Sequence, residues 1–230
     1  RLLARGVAHL TRQLQVVFSG FVLGDDRGQA PEVADDFRGA GLTHLLVVSG
    51  HNVAFVLAVV GPVLGRLGLR SRLVAVGVVL SGFALLTRFE PSVLRATAMS
   101  AVATVAAVGG RPVSGVRTLA LAVTMLVLVD PLLVHSLGFG LSVAASAGIL
   151  VLSRPVLDVL PGPGWLTRPL SVTIAAQVGV TPLLVRTSGG IPLATVPANL
   201  LAEPVAGFVM MWGLMAGALA GAVGGPLAAV

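Results

Sequence analysis

Residues 132–153 read Leu-Leu-Val-His-Ser-Leu-Gly-Phe-Gly-Leu-Ser-Val-Ala-Ala-Ser-Ala-Gly-Ile-Leu-Val-Leu-Ser. These 22 positions hold no Asp, Glu, Lys or Arg, and the nearest charges are Asp130 and Arg154. A helix rises about 1.5 Å per residue, so roughly 20 apolar residues cross the ~30 Å hydrocarbon core of a bilayer. By length and composition the run is a membrane span. Working outward, further apolar runs occupy about 43–65, 73–87, 92–109, 117–129, 169–185 and 204–223. The expected fold is all-α, a polytopic transmembrane helical bundle of about seven spans. Several runs fall short of a straight crossing, so some spans are expected to be short or broken.

The whole composition agrees with that run. Of the 230 residues, 56% are hydrophobic and 10% charged, and the mean hydropathy is +0.99. A soluble domain carries about 25% charged residues. Too few charges are present here to build a polar shell, which excludes an ordinary soluble enzyme and a disordered chain. Cysteine is absent, which removes disulfides, thiol catalysis and Cys metal sites. The net charge is +6 and every basic residue is an arginine. These arginines are either orientation charges or part of a path for a polyanion. Arg66, Arg70, Arg72, Arg111, Arg117, Arg154 and Arg168 fall in alternate loops, against Arg88 and Arg186 in the intervening ones. By the positive-inside rule the seven-arginine side is cytoplasmic, which puts residues 1–41 outside.

Residues 1–23 are amphipathic. Leu3, Val7, Leu10, Leu14, Val17 and Phe21 recur at helical spacing with Arg1, Arg5, His9 and Arg12 between them. They predict an interfacial helix, and residues 24–230 then form the membrane domain. The chain begins at Arg1 rather than Met, so it reads as an excerpt of a longer protein. Residues 24–41 are the most polar stretch, a solvent loop with one short helix. Their acidic residues are read as surface, and no metal or cofactor is expected.

Polar groups inside apolar runs need a partner or water. His44 and His51 are seven residues apart and share a face on a continuous helix; Ser49-Gly50 is where such a helix would break. No third metal ligand accompanies the histidines, which leaves helix–helix hydrogen bonds or a polar pathway. Glu90-Pro91 opens the third run, with the acid complementing the helix N-terminus and Arg95 one turn in. Arg95 either snorkels to the interface or faces a hydrophilic interior, where its guanidinium would attract phosphate. Ser142 and Ser146 share a face, as do Thr173, Gln177 and Thr181, the last ending against Pro182. Residues 190–204 contain Pro192, Pro197, Asn199, Glu203 and Pro204, a proline density that predicts a re-entrant or broken segment.

Taken together these strings resemble the central membrane domain of the ComEC competence family. Phe37-Arg38-x-Ala40-Gly41-Leu42-Thr43-His44-Leu45-Leu46-Val47-Val48-Ser49-Gly50 is similar to its most distinctive motif. Pro91-Ser92-Val93-Leu94-Arg95-Ala96 with Met99, Gly138-Phe139-Gly140-Leu141-Ser142, the span with Gln177 and Pro182, and Asn199-Leu200-Leu201-Ala202-Glu203-Pro204 follow in the family's order. After Ser49-Gly50 the chain has His51-Asn52, where relatives often have Leu-His or Ala-Asn. The resemblance covers about residues 20–210.

It implies a multi-pass protein of the bacterial cytoplasmic (inner) membrane that passes single-stranded DNA during natural transformation. The implied partners are single-stranded DNA, a DNA-translocating ATPase, DNA receptor proteins and the lipid bilayer. Longer relatives carry an OB-fold domain and often a metallo-β-lactamase-like nuclease domain. No His-x-His-x-Asp-His string occurs here, so no catalytic residue or enzymatic activity is expected. Candidates for lining a DNA path are His44, Ser49, Gly50, His51, Asn52, Arg95, Ser142, Gln177, Asn199 and Glu203. Two rival readings remain: a small-solute or ion-coupled transporter centred on Glu203, and a membrane scaffold without a pore.

Overall fold

The computed structural model describes residues 11–12, 14–16, 20, 29–45, 50–111, 113–188 and 194–223. The expected amphipathic helix over residues 1–23 falls almost wholly outside them. A short helix, α1 (Pro31–Gly39), is followed by a 3-10 turn at Thr43–Leu45. Then come α2 (Gly50–Leu64), α3 (Leu69–Leu86), α4 (Pro91–Val108), α5 (Gly115–Val129), a 3-10 turn (Pro131–His135), α6 (Leu137–Val159), α7 (Gly164–Ser188) and α8 (Thr195–Val223). No strand occurs among the described residues. The all-α reading is correct, and the seven apolar runs correspond to α2 through α8.

Four helices, α3, α4, α6 and α7, are long and apolar enough to cross a membrane by length and composition. Large apolar side chains such as Val78, Leu86, Leu128, Val129, Leu201 and Phe208 point outward. In water such a surface would aggregate; in lipid it is the normal exterior. Hence burial of apolar surface does not drive these helices together, and close packing does. Val53, Val93 and Ala96 interlock with Val76, Leu80 and Phe83 to join α2, α3 and α4. Helix α4 also packs on α5 and α6, which makes it the central element.

The α6–α7 seam is closer still. Gly140 lies beside Leu183, and Gly148 and Gly179 face each other, so the pair is antiparallel. A Cβ on Gly148 would collide with the Ala175 carbonyl oxygen, and one on Gly179 with that of Ala144. Bare backbone meets bare backbone, which small residues alone permit.

Three boundaries differ from the sequence reading. Thr43–Leu45 is a 3-10 turn and α2 starts at Gly50, so His44 and His51 belong to different elements rather than one helical face. Helix α7 runs through Pro182 to Ser188. The last helix starts at Thr195 and contains Pro197, Asn199, Glu203 and Pro204, so residues 195–204 are helical rather than broken. Pro197 sits in the first turn, where the lost N–H had no helical acceptor anyway. Residues 189–193 lie outside the described set.

Candidate functional site

Helix α4 opens with Glu90 at its N-cap and Pro91 in its first turn, as the sequence pattern requires. Arg95 follows one turn later. Among the described residues every other arginine is exposed, and Arg95 is the one that is half-buried. Its side chain crosses to α6, where Nε donates to Ser142 Oγ at 2.7 Å. Nη1 donates to Met99 Sδ at 3.2 Å, one turn further along α4. The remaining nitrogen points to the first turn of α2: a Cβ built on Gly50 would stand 2.7 Å from Arg95 Nη2 and 3.2 Å from Ala96 Cβ. Glycine at position 50 therefore makes the space that the guanidinium occupies.

A guanidinium offers five N–H donors in a rigid fork. Here one hydroxyl and one weak thioether acceptor engage two of them. An ion pair joins Arg38 to Asp35 far out on α1, whereas the bonds described for Arg95 run to a hydroxyl and a thioether. Keeping a cation from water is costly, by several kcal/mol on the usual scale. Such a group has strong affinity for an anion brought to it.

Neighbouring helices add polar atoms without partners. Asn52, two residues beyond Gly50, is 5% exposed, and its Oδ1 accepts no hydrogen bond. Gln177 Nε2 on α7 and Asn199 Oδ1 on α8 are likewise buried and unpartnered. The antiparallel register of α6 and α7 sets Gln177 at the height of Ser146, but two residues from Ala175 and Gly179 it lies on the side of α7 turned away from α6. Ser146 Oγ donates to the Ser142 carbonyl. Thr181 Oγ1 donates to the Gln177 carbonyl and Thr173 Oγ1 to that of Pro169. The stripe on α7 thus satisfies its hydroxyls within its own helix and leaves the amide of Gln177 to something else. An orphaned buried amide group costs about 1–3 kcal/mol, which water or a polar ligand would recover.

The sequence candidates divide accordingly. Gly50, Arg95 and Ser142 meet, and Gln177 stands at a similar height on α7, on the side away from α6. Asn52 is buried on α2 just past Gly50. Helix α8 meets α2 where a Cβ built on Gly207 would stand 3.3 Å from Phe55 Cζ, which places Glu203 one turn before that contact and Asn199 a turn earlier again. Glu203 is half-buried. His44 is exposed on its 3-10 turn, whose Leu45 packs with Ala202 and Ala206 of α8 on either side of Glu203 in the sequence. Ser49 lies outside the described residues, as does the side chain of His51. Sequence reading missed that Gly50, Arg95 and Ser142 touch: they come from three separate strings, and nothing in their spacing says which helices are neighbours. No group of three or more His, Asp or Glu suited to a metal ion occurs among the described residues.

Against known proteins, the family described as Competence protein matches residues 21–230. The chain belongs to the Competence protein family. ComE operon protein 3 of Bacillus subtilis (strain 168) is 29% identical over 203 residues, 87% of this chain and 26% of that protein. The Uncharacterized protein YcaI of Escherichia coli (strain K12) is 27% identical over 248 aligned positions, 98% of this chain and 32% of that protein. The chain thus spans about a quarter to a third of the length of these relatives. No solved structure matches the chain significantly. The half-buried arginine, its serine and its glycine all fall inside the segment that defines the Competence family.

Proposed function

We infer that this Competence-family chain is a multi-pass segment of the bacterial cytoplasmic membrane that carries single-stranded DNA inward during natural transformation. The observation that carries this reading is Arg95: a fixed cation, turned away from the surface and held across α4 and α6 by Ser142. A phosphodiester passing the bundle needs positive charge that attracts it without trapping it. One anchored guanidinium meets that need better than a dense basic cluster. The unpartnered amides of Asn52, Gln177 and Asn199 suit a hydrated path, since each exchanges water for a sugar, base or phosphate at small cost. The chain itself performs no chemical step in this reading. A DNA-translocating ATPase supplies the work, and DNA receptor proteins deliver the strand.

The test is DNA entry into proteoliposomes or competent cells, normalised to the amount of protein in the membrane. Arg95→Ala should abolish most of the uptake at unchanged abundance. Uptake at the wild-type level would remove Arg95 from the path and leave this reading without its main support.

A further inference from the structure

The turn joining α3 to α4 combines unusual backbone geometry with an exposed cation and ring. Phe89 N–H donates to Ala84 O at 2.8 Å and Arg88 N–H to Leu85 O at 3.2 Å, the paired bonds of a Schellman motif. Thr87 locks the helix end, its Oγ1 donating to Phe83 O and Ala84 O. The motif calls for a left-handed residue after the cap, a place usually taken by glycine because a Cβ crowds the following carbonyl. Here Arg88 has φ 55° and Phe89 has φ 58°. Two consecutive side-chain-bearing residues hold a conformation that neither favours. The strain is informative because the same turn leaves both side chains exposed, Phe89 at 52%. Glu90 follows at the N-cap of α4, half-buried, where the helix N-terminus favours its charge. From Pro91 to Arg95 the helix rises only about 6 Å, so the turn stands at the same end of α4 as the half-buried guanidinium.

Membrane anchoring explains this pair poorly. Interfacial belts use Trp and Tyr, whose polar tips sit among headgroups; Phe89 has no such tip. Trp165, 78% exposed in the first turn of α7, has the chemistry of an anchor. An exposed ring beside an exposed guanidinium is instead the pairing that grips single-stranded nucleic acid, with stacking on a base and charge on a phosphate, indifferent to sequence.

We propose that the Arg88-Phe89 turn is a single-strand contact at the mouth of the bundle: Phe89 stacks on a base and Arg88 holds the adjoining phosphate, ahead of Arg95. This rests on the reading of the chain as a DNA path. The experiment uses full-length protein in zwitterionic nanodiscs and labelled oligo-dT and oligo-dA, with affinity measured against salt. Arg88→Gly suits the left-handed backbone, so the fold should keep or raise its thermal midpoint. It should nonetheless weaken both oligonucleotides and lower the magnitude of the salt slope by about 0.7, the loss of one phosphate contact. Phe89→Leu should weaken binding about tenfold with the salt slope unchanged, and Phe89→Tyr should restore it. Wild-type affinity in both Arg88→Gly and Phe89→Leu would overturn the proposal while leaving the DNA reading standing. So would effects that arise only when phosphatidylglycerol is added, since these would assign the turn to lipid. Failure of the folded wild-type protein to bind either oligonucleotide would overturn the DNA reading itself.

Discussion

Glycine means different things at different sites in this molecule, and the difference can be measured. At Gly50 the nearest obstacle to a side chain is the far end of Arg95, which can swing aside. Gly50→Ala should therefore leave membrane abundance nearly unchanged while it displaces the guanidinium from its place beside Ser142. DNA uptake should fall several-fold. Gly77, in α3, has nothing within 4 Å of its added Cβ. Gly77→Ala should keep uptake and raise stability by about 1 kcal/mol through helix propensity. Equal uptake in the two variants would separate Gly50 from Arg95. Arg95→Lys asks whether the planar fork matters: lysine keeps the charge and loses the geometry that reaches Ser142 and Met99 together. A charged hydrogen bond is worth about 1.5–3 kcal/mol, so uptake should fall roughly tenfold or more. Arg95 was legible in the sequence as a charge one turn inside an apolar helix, because charges there are rare enough to be noticed. Which way it turned was not legible, since snorkelling and an interior contact require the same residue at the same position.

Helices α6 and α7 form the tightest pair in the bundle. Their seam tolerates no added atom, because the obstacles at Gly148 and Gly179 are carbonyls rather than movable side chains. Gly148→Ala or Gly179→Ala should force the helices apart and cost about 1–3 kcal/mol, read as a lower thermal midpoint in detergent. Gly61→Ala on α2, with nothing within 4 Å, is the matching control. At this scale the sequence was most informative. Each apolar run became a helix because its length and lack of charge allow little else in a bilayer. The errors came at prolines. Pro182 and Pro204 were read as stops or breaks, yet both lie inside helices, as do Pro62, Pro155 and Pro169. In a membrane, packed neighbours and local adjustments can satisfy the carbonyls that a proline frees. The helical start at Gly50 was marked by Ser49-Gly50, but the separation of His44 from His51 was hidden by an unbroken apolar pattern.

For the whole molecule, orientation follows from arginine placement. If α2 through α8 each cross once, the connections 65–68, 109–114 and 160–163 share one side, where Arg66, Arg70, Arg72, Arg111, Arg117, Arg154 and Arg168 are all exposed. That side should be cytoplasmic. Cysteines engineered into each of these connections should resist a membrane-impermeant thiol reagent added outside, whereas one near Arg88 should react. Ready labelling of all three from outside would invert the assignment. The neighbour relations of α2, α4, α6 and α8 had no sequence signal, because packing through small residues leaves no periodic signature distinct from the lipid-facing one. The backbone contact of α6 with α7 has a mechanical consequence. Sliding either helix along the other would drive side-chain-bearing residues onto the carbonyls that now face glycine, so the hairpin resists shear. Successive nucleotides differ in width as purines and pyrimidines alternate, and any conduit for them must give somewhere. The α6–α7 pair is suited to act as the fixed wall. Compliance then falls to the lighter contact of α8 with α2, where Gly207 faces the ring of Phe55.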